Sequence, residues 1–216
     1  VGIGTGGTNA IVIDSNQKVL QGHASARAVG AGDLNCMYQI EGTGATTGLS
    51  ITRNNSSATT SPKLVFGKSA GSSTGSNTAV SDNHVLGEIR FSGADGTDLT
   101  NYSASIVGLV DGDVSGNQVP GRLEFRTGTT TDANVKMTIL SSGKTGIGTT
   151  LPNKQLEVKA QDATIRLNQT NAPTTPIDIR NRSGDLVFDI HSVARDVIIT
   201  ALEETVELFR FTGDGK

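Results

Sequence analysis

The chain opens VGIGTGG, in which Gly2, Gly4 and Gly7 keep the G-x-G-x-x-G spacing of a dinucleotide-binding loop. That chemistry also requires a helix whose N-terminus meets the pyrophosphate. The next residues, TNAIVIDSNQKV, are an apolar run and a turn, so the glycines read as backbone permissiveness. Gly-Lys-Thr at 143–145 and Gly-Lys-Ser at 67–69 look like phosphate loops. The glycine that a P-loop needs five places upstream is Thr138 in one and Pro62 in the other. Asp111, Asp113, Ser115 and Asn117 have the odd spacing of a calcium loop, but its twelfth place, which calls for a bidentate glutamate, is Arg122. Asp95, Asp98 and Asn101 form a similar acidic turn.

His23, His84 and His191 lie far apart and none has a second Cys or His at ligand spacing, although a threefold axis could bring copies of one together. Glycan hydrolysis needs two carboxyl groups about 5–9.5 Å apart, one with a raised pKa. Glu88, Glu124, Glu203 and Glu204 qualify by identity alone. Ser72 and Ser76 sit in GSSTGS, which is not the G-x-S-x-G elbow of a serine hydrolase. The expectation is a chain with no catalytic, cofactor-binding or metal-binding residue and no cofactor, its acidic residues being solvated charges and turns.

The elements that hold these residues are short strands. Alternating runs rich in Val, Ile, Thr and Phe recur: AIVID (10–14), LSITR (49–53), KLVF (63–66), GEIRF (87–91), SASIVGLV (103–110), RLEFR (122–126) and VKMTIL (135–140). QLEV (155–158), TIRLN (164–168), IDIRN (177–181), LVFDI (186–190), VIIT (197–200) and ELFRF (207–211) continue the series. Turn-forming clusters such as GADGTD and NRSGD separate them, which predicts an all-β chain. Residues 14–29 are the one stretch that could form a short helix, capped by Asp14 or Ser15.

The 216 residues include 27 glycines and no tryptophan, with 35% hydrophobic residues, so the core should be thin and completed by neighbouring subunits. A net charge of −3 without a basic block offers nucleic acid no patch. No apolar run reaches the roughly 20 residues that span a bilayer. Cys36 is the sole cysteine and is expected to be a buried free thiol.

The Gly-Ile-Gly-Thr core at 2–5 returns at 146–149, and ELFRFTGDGK at the C-terminus matches the approach to that core, as if the chain were cut at a repeat boundary. ITRNNSSATTSPKLVF is echoed by IRLNQTNAPTTPIDIRNRSGDLVF, and GEIRFSG by GRLEFRTG. Serial β units with glycine-rich joints need stacking or lateral association to bury their apolar positions. Trimerisation would bury one face of each strand and leave a Ser/Thr/Asn face wet.

LGEIRFSGADGTDLTNYSASIVGLVDG, then PGRLEFRTG, then VKMTILSSGKTGIGTTLPNKQLEVK, resembles the tail fibres and related virion appendages of tailed bacteriophages, particularly marine ones. Those shafts carry I-R-F-x-G, G-R-L-x-F and G-x-V-G-I-G-T-x-x-P in this order. The resemblance covers residues 86–159, and more loosely 38–71 and 163–216. It implies an elongated homotrimeric fibre, made in the host cytoplasm and carried on the virion, serving virion structure or host attachment. Its partners would be two further copies of itself, other virion proteins and a host glycan or receptor, without membrane insertion. The self-cleaving chaperone domain of many such fibres has no counterpart here, so the sequence reads as shaft. The expected organisation is an N-terminal shaft segment over 1–40, a β-rich repeat module over 41–150 that ends in the Gly-Ile-Gly-Thr turn, and a shorter module over 151–216. Exposed loops at 68–84 and 93–102 would touch sugar, although Tyr38 and Tyr102 are the only tyrosines available for stacking. A glycan-degrading tailspike and a bacterial surface adhesin are the alternatives.

Overall fold

The computed structural model describes residues 2–5, 8–22, 25–30, 35–45, 47–128, 133–169, 172–182, 185–190, 197–200 and 207–211. These residues form strands, turns and irregular segments, and no helix is present among them. The protein is all-β. It divides into two compact units, Val1–Glu157 and Val158–Lys216.

The first unit holds two sheets. The smaller has the order β1 (Gly2–Thr5), β2 (Thr8–Ile13), β3 (Val19–Gln21), β4 (Tyr38–Ile40), antiparallel except for the parallel pair β3–β4. The described residues of the stretch at 14–29 do not form a helix. Asp14 Oδ1 accepts hydrogen bonds from the amides of Asn16 (2.8 Å) and Lys18 (3.0 Å), and Gln17 takes φ 63°. The residue expected to cap a helix therefore closes a hairpin turn into β3, because an aspartate that satisfies amides two and four residues on serves a turn as well as a cap.

The larger sheet is an antiparallel meander of β5 (Val85–Ser92), β6 (Tyr102–Val110), β7 (Gly121–Thr127), β8 (Asn134–Ile139) and β9 (Thr145–Ile147), with β10 (Leu156–Val158) beside β9. Gly-Lys-Thr at 143–145 makes the β8–β9 turn: the Leu140 amide donates to Lys144 O, the Gly143 amide to Leu140 O, and Gly143 has φ 80°. Gly146 is buried in β9 so close to the Thr149 carbonyl oxygen that a methyl group would overlap it. β6 is the centre of the core, supplying Tyr102, Val107, Leu109 and Val110, to which Leu20, Val80 and Ala133 add the other buried apolar side chains among the described residues. The core is as thin as the composition implies.

The second unit pairs β11 (Thr164–Gln169), β12 (Ala172–Arg182) and β13 (Asp185–Ile190) in that order, and β14 (Val197–Thr200) with β15 (Glu207–Phe211). Pro173 and Pro176 lie in the N-terminal half of β12. There β13 has not yet begun to pair and the β11 register is irregular, which is where missing amide donors cost least. Arg166 grips the buried Asp178 with two hydrogen bonds of 2.7 Å.

Two expected strands are absent. Residues 49–53 and 63–66 form no regular structure and join no sheet. Cys36 is exposed rather than buried.

The Gly146 contact gives a controlled comparison. Gly146→Ala should lower the stability of the chain by about 1–3 kcal/mol, because backbone must shift to admit the methyl group. Gly93→Ala, where a Cβ meets open space, should stay within about 0.5 kcal/mol of wild type in the same thermal melt.

Candidate assembly surface

Residues paired across strands point to one side of a sheet, so the register of β5–β9 assigns every side chain to a face. On one face the rows are Arg90–Ser105–Arg126, then Glu88–Val107–Glu124–Thr138–Gly146, then Leu109–Arg122. On the other, the central row is Ile89–Ile106–Phe125–Met137–Ile147, flanked by Phe91–Ala104–Thr127 and by Gly108–Leu123–Ile139–Thr145.

The charged face is the buried one. Val107 is 1% exposed, and the side chains around it close into an ion-paired network. Glu124 Oε1 accepts from Arg122 Nε at 2.9 Å and its Oε2 from Arg126 Nη2 at 2.6 Å, while Glu88 Oε2 meets Arg90 Nη2 at 2.8 Å. Arg122 also donates to Val110 O (3.0 Å) and Asn83 Oδ1 (2.8 Å), and Arg90 lies 4.6 Å from the centre of the Tyr102 ring. Charges can be buried when they are paired and hydrogen-bonded in this way.

The apolar face is the open one. Ile89 is 42% exposed, Ile147 44% and Phe91 52%, and Leu123 is exposed beside them. Ile106, Phe125 and Met137 between them are half-buried. Phe66 packs on Gly87 at the edge of this same face, in the space a side chain at 87 would need. A contiguous apolar patch on a sheet marks an interaction surface. The expected Ser/Thr/Asn face is replaced in this sheet by the Arg/Glu face.

Several of the described residues singled out for chemistry are engaged in loops and ion pairs. Asp111 accepts the Ser141 amide at Oδ2 (2.7 Å), and its Oδ1 lies 3.6 Å from Arg122. Burial pushes its carboxyl up, but Ser141 and Arg122 outweigh that and hold it low. Asn117 turns at φ 66° in the tight Ser115–Gln118 bridge. Asp95 Oδ1 takes the amides of Thr97 (2.8 Å) and Asp98 (3.1 Å), which hold its carboxyl below the usual range, and Asn101 binds Oδ2 at 2.8 Å. Both acidic clusters thus tie loops. Among the described residues no three His, Cys, Asp or Glu side chains converge in a metal-binding group.

His84 Nδ1 accepts the Ser81 amide at 3.3 Å. Ser76 Oγ shares a 3.1 Å hydrogen bond with Thr78 Oγ1 in the loop at 68–84. Gly6, Gly7, His23, His191, Glu203 and Glu204 lie outside the described residues. Glu88 and Glu124 do share a face, about 10 Å apart across two strand spacings with Val107 between them. Burial raises the Glu124 carboxyl, but hydrogen bonds from Arg126 and Arg122 reverse this and hold it below the usual value. That is the opposite of the shift a general acid needs.

No protein-family model matches the chain, and no curated protein matches it. Among solved structures it is similar to the carboxy-terminal domain of the bacteriophage T5 L-shaped tail fibre, with a TM-score of 0.41 and 10% identity, over 78% of this chain and 89% of that one.

The depressed Glu124 carboxyl contributes stability that is fully present above the ordinary glutamate value of 4.5 and is lost as pH falls through the folded value. Glu124→Gln should therefore cost about 3 kcal/mol near pH 7, leaving two arginines short of a partner. The gap between the variant and wild-type melting curves should close as the pH is taken below 4.5.

Proposed function

We propose that this chain is a structural module of a bacteriophage virion fibre, in which three copies pack their six-stranded sheets with the apolar faces inward. The observation that carries this reading is the row Ile89–Ile106–Phe125–Met137–Ile147, left open on a sheet whose other face is filled by ion pairs. The segments that resemble phage fibre shafts support it independently, because they are the strands that build the row. I-R-F lies in β5 and supplies Ile89 and Phe91; G-R-L-E-F lies in β7 and supplies Leu123 and Phe125; G-I-G-T begins in β9 and supplies Ile147.

The work of the module is mechanical: it extends the appendage and presents whatever it carries to the host, with no reaction of its own. Host contact falls to the polar loops at 68–84 and 93–102, and the particle, rather than the host membrane, is where the chain resides. The glycan-degrading and adhesin alternatives have no residue in the described sheet that favours them.

Sedimentation equilibrium of the purified chain should give three times the 22.3 kDa chain mass, and the double variant Ile89→Asp/Ile147→Asp should give the single mass with an unchanged far-ultraviolet spectrum. Both positions are already open to solvent in one chain, so the charges burden only the assembled state. Antibody raised against the chain should decorate an appendage of phage particles in electron micrographs. A wild-type monomer, or particles that stay unlabelled, would overturn the reading.

A further inference from the structure

Away from the apolar row, the first unit has a cavity of about 360 Å³ beside β4. Arg27, Val29, Cys36, Tyr38, Ile40 and Leu99 line it, and Gln39 and Glu41 complete the wall. Small-molecule sites have this composition, a mostly apolar surface with a few fixed polar groups, in a volume of about 300–1,000 Å³. The cavity lies at the lower end of that range. It suits a molecule with a body of ring size.

Arg27 is fixed from two sides. Its amide donates to Gln39 Oε1 at 3.1 Å and its carbonyl accepts from Gln39 Nε2 at 3.0 Å, so one side-chain amide holds both main-chain groups of residue 27. Gln39 Nε2 also donates to the Cys36 carbonyl at 3.2 Å, tying a second part of the wall to the same side chain. At its far end Arg27 Nη1 donates to Glu41 Oε1 at 2.6 Å. The Gly30 amide donates to Leu99 O at 2.9 Å, which joins the loop at 93–102 to the segment that carries Arg27 and Val29.

A guanidinium carries five N–H groups in a rigid fork that matches the two oxygens of an acid group. Glu41 is the partner of the Arg27 side chain among the described residues, and it engages one corner of that fork. The two side chains are 41% and 39% exposed, and ion pairs so open to water hold weakly. An arriving acid group therefore meets unused donors on a positioned cation, with a loosely held competitor. Beside the cation stand Val29 and Tyr38, both exposed, and Ile40 and Leu99, both half-buried. The wall thus offers one charge and an apolar bed.

We propose that this cavity binds a small amphipathic anion, its acid group on Arg27 and its apolar body on Val29, Tyr38, Ile40 and Leu99. A net charge of −3 gives the chain no general attraction for anions, so recognition comes from Arg27 itself. No residue of the row Ile89–Ile106–Phe125–Met137–Ile147 lines the cavity. The site therefore goes beyond the fibre reading and does not depend on it.

Cys36 is the sole cysteine and is exposed at this wall, which makes its alkylation a reporter of this place alone. The full chain is treated with iodoacetamide, and Cys36 modification is followed by intact mass against rising anilinonaphthalene sulfonate, whose apolar rings carry one anionic group. Alkylation should slow and saturate. Phenylnaphthylamine, the same rings without the sulfonate, should need about 10-fold more for the same protection, because it lacks the charge-assisted hydrogen bonds. That comparison is made on the wild-type chain and needs no variant. Arg27→Gln should bring the sulfonate to the level of the neutral probe, with melting temperature and probe-free alkylation unchanged, whereas Leu99→Ala should weaken both probes alike. The Ile89→Asp/Ile147→Asp chain should behave as wild type here, so a failure leaves the assembly standing and a monomeric wild type leaves the site standing. Alkylation that ignores both probes overturns the proposal. Equal protection by the two probes, or sulfonate protection that survives Arg27→Gln, overturns it as well.

Discussion

Arg90, Glu88, Arg122, Glu124 and Arg126 occupy one face of the six-stranded sheet in alternating rows, and the bonds of Arg122 and Arg126 to Glu124 are what let the Glu124 carboxylate be buried there. Glu88 Oε1 and the Ser105 and Thr138 hydroxyls on that face are buried with no hydrogen-bond partner. The opposite face is left largely open, with Ile89, Phe91, Leu123 and Ile147 exposed along it. A soluble sheet that buries one side normally gives that side its apolar residues and leaves charge to water. Here the arrangement is reversed within a single chain, and the reversal sets the terms for every other feature. Arg122 alone links β7 to Val110 O at the end of β6 and to Asn83 in the loop before β5, so the network fixes strand ends as well as side chains.

The thinness of the core has the same origin. The buried apolar side chains among the described residues are few and come mostly from β6, while leucines, isoleucines, valines and phenylalanines stand exposed on β5, β7, β9 and the segment at 49–66. Hydrophobic burial is the main favourable term in folding, worth about 25 cal/mol per Å² of apolar surface removed from water. This exposed surface is what the proposed assembly would remove from water. In the proposed assembly stability and association would be one quantity, with the folded protomer favoured by the presence of its copies.

Much of the fold is legible in the sequence. β2, β5–β8 and β10–β15 fall where alternation and β-branched composition predict strands, because period two is a property of the chain and survives without neighbours. The short strands β1, β3, β4 and β9 escape such a reading; three or four residues carry too little periodicity, and Gly-Ile-Gly-Thr reads as turn from its glycines although the copy at 2–5 is a strand and the copy at 146–149 begins in one before turning at Gly148. The segments at 49–53 and 63–66 have the strand pattern without the strand, since a sequence records a preference for pairing and not whether a partner strand stands beside it. Least legible is the choice of face. Alternation groups Glu88 with Arg90 and Ile89 with Phe91, but only register across strands reveals that Glu88 and Glu124 flank Val107 and that five apolar residues align. Asp14 misleads for a related reason, because one side chain can satisfy the amides of a helix start or of a hairpin.

The proposed assembly hangs on the Ile89–Ile147 row facing its own counterparts around an axis. Spin labels on Cys36→Ser chains carrying Thr127→Cys, which points to the apolar side of the sheet at its rim, measure this by pulsed dipolar spectroscopy. Inward-facing sheets predict one set of equal inter-chain distances, no longer than roughly two sheet spacings, or about 20 Å. Labels that show no dipolar coupling at concentrations where the chain is assembled would mean that the apolar faces point elsewhere, contradicting the inward-facing arrangement.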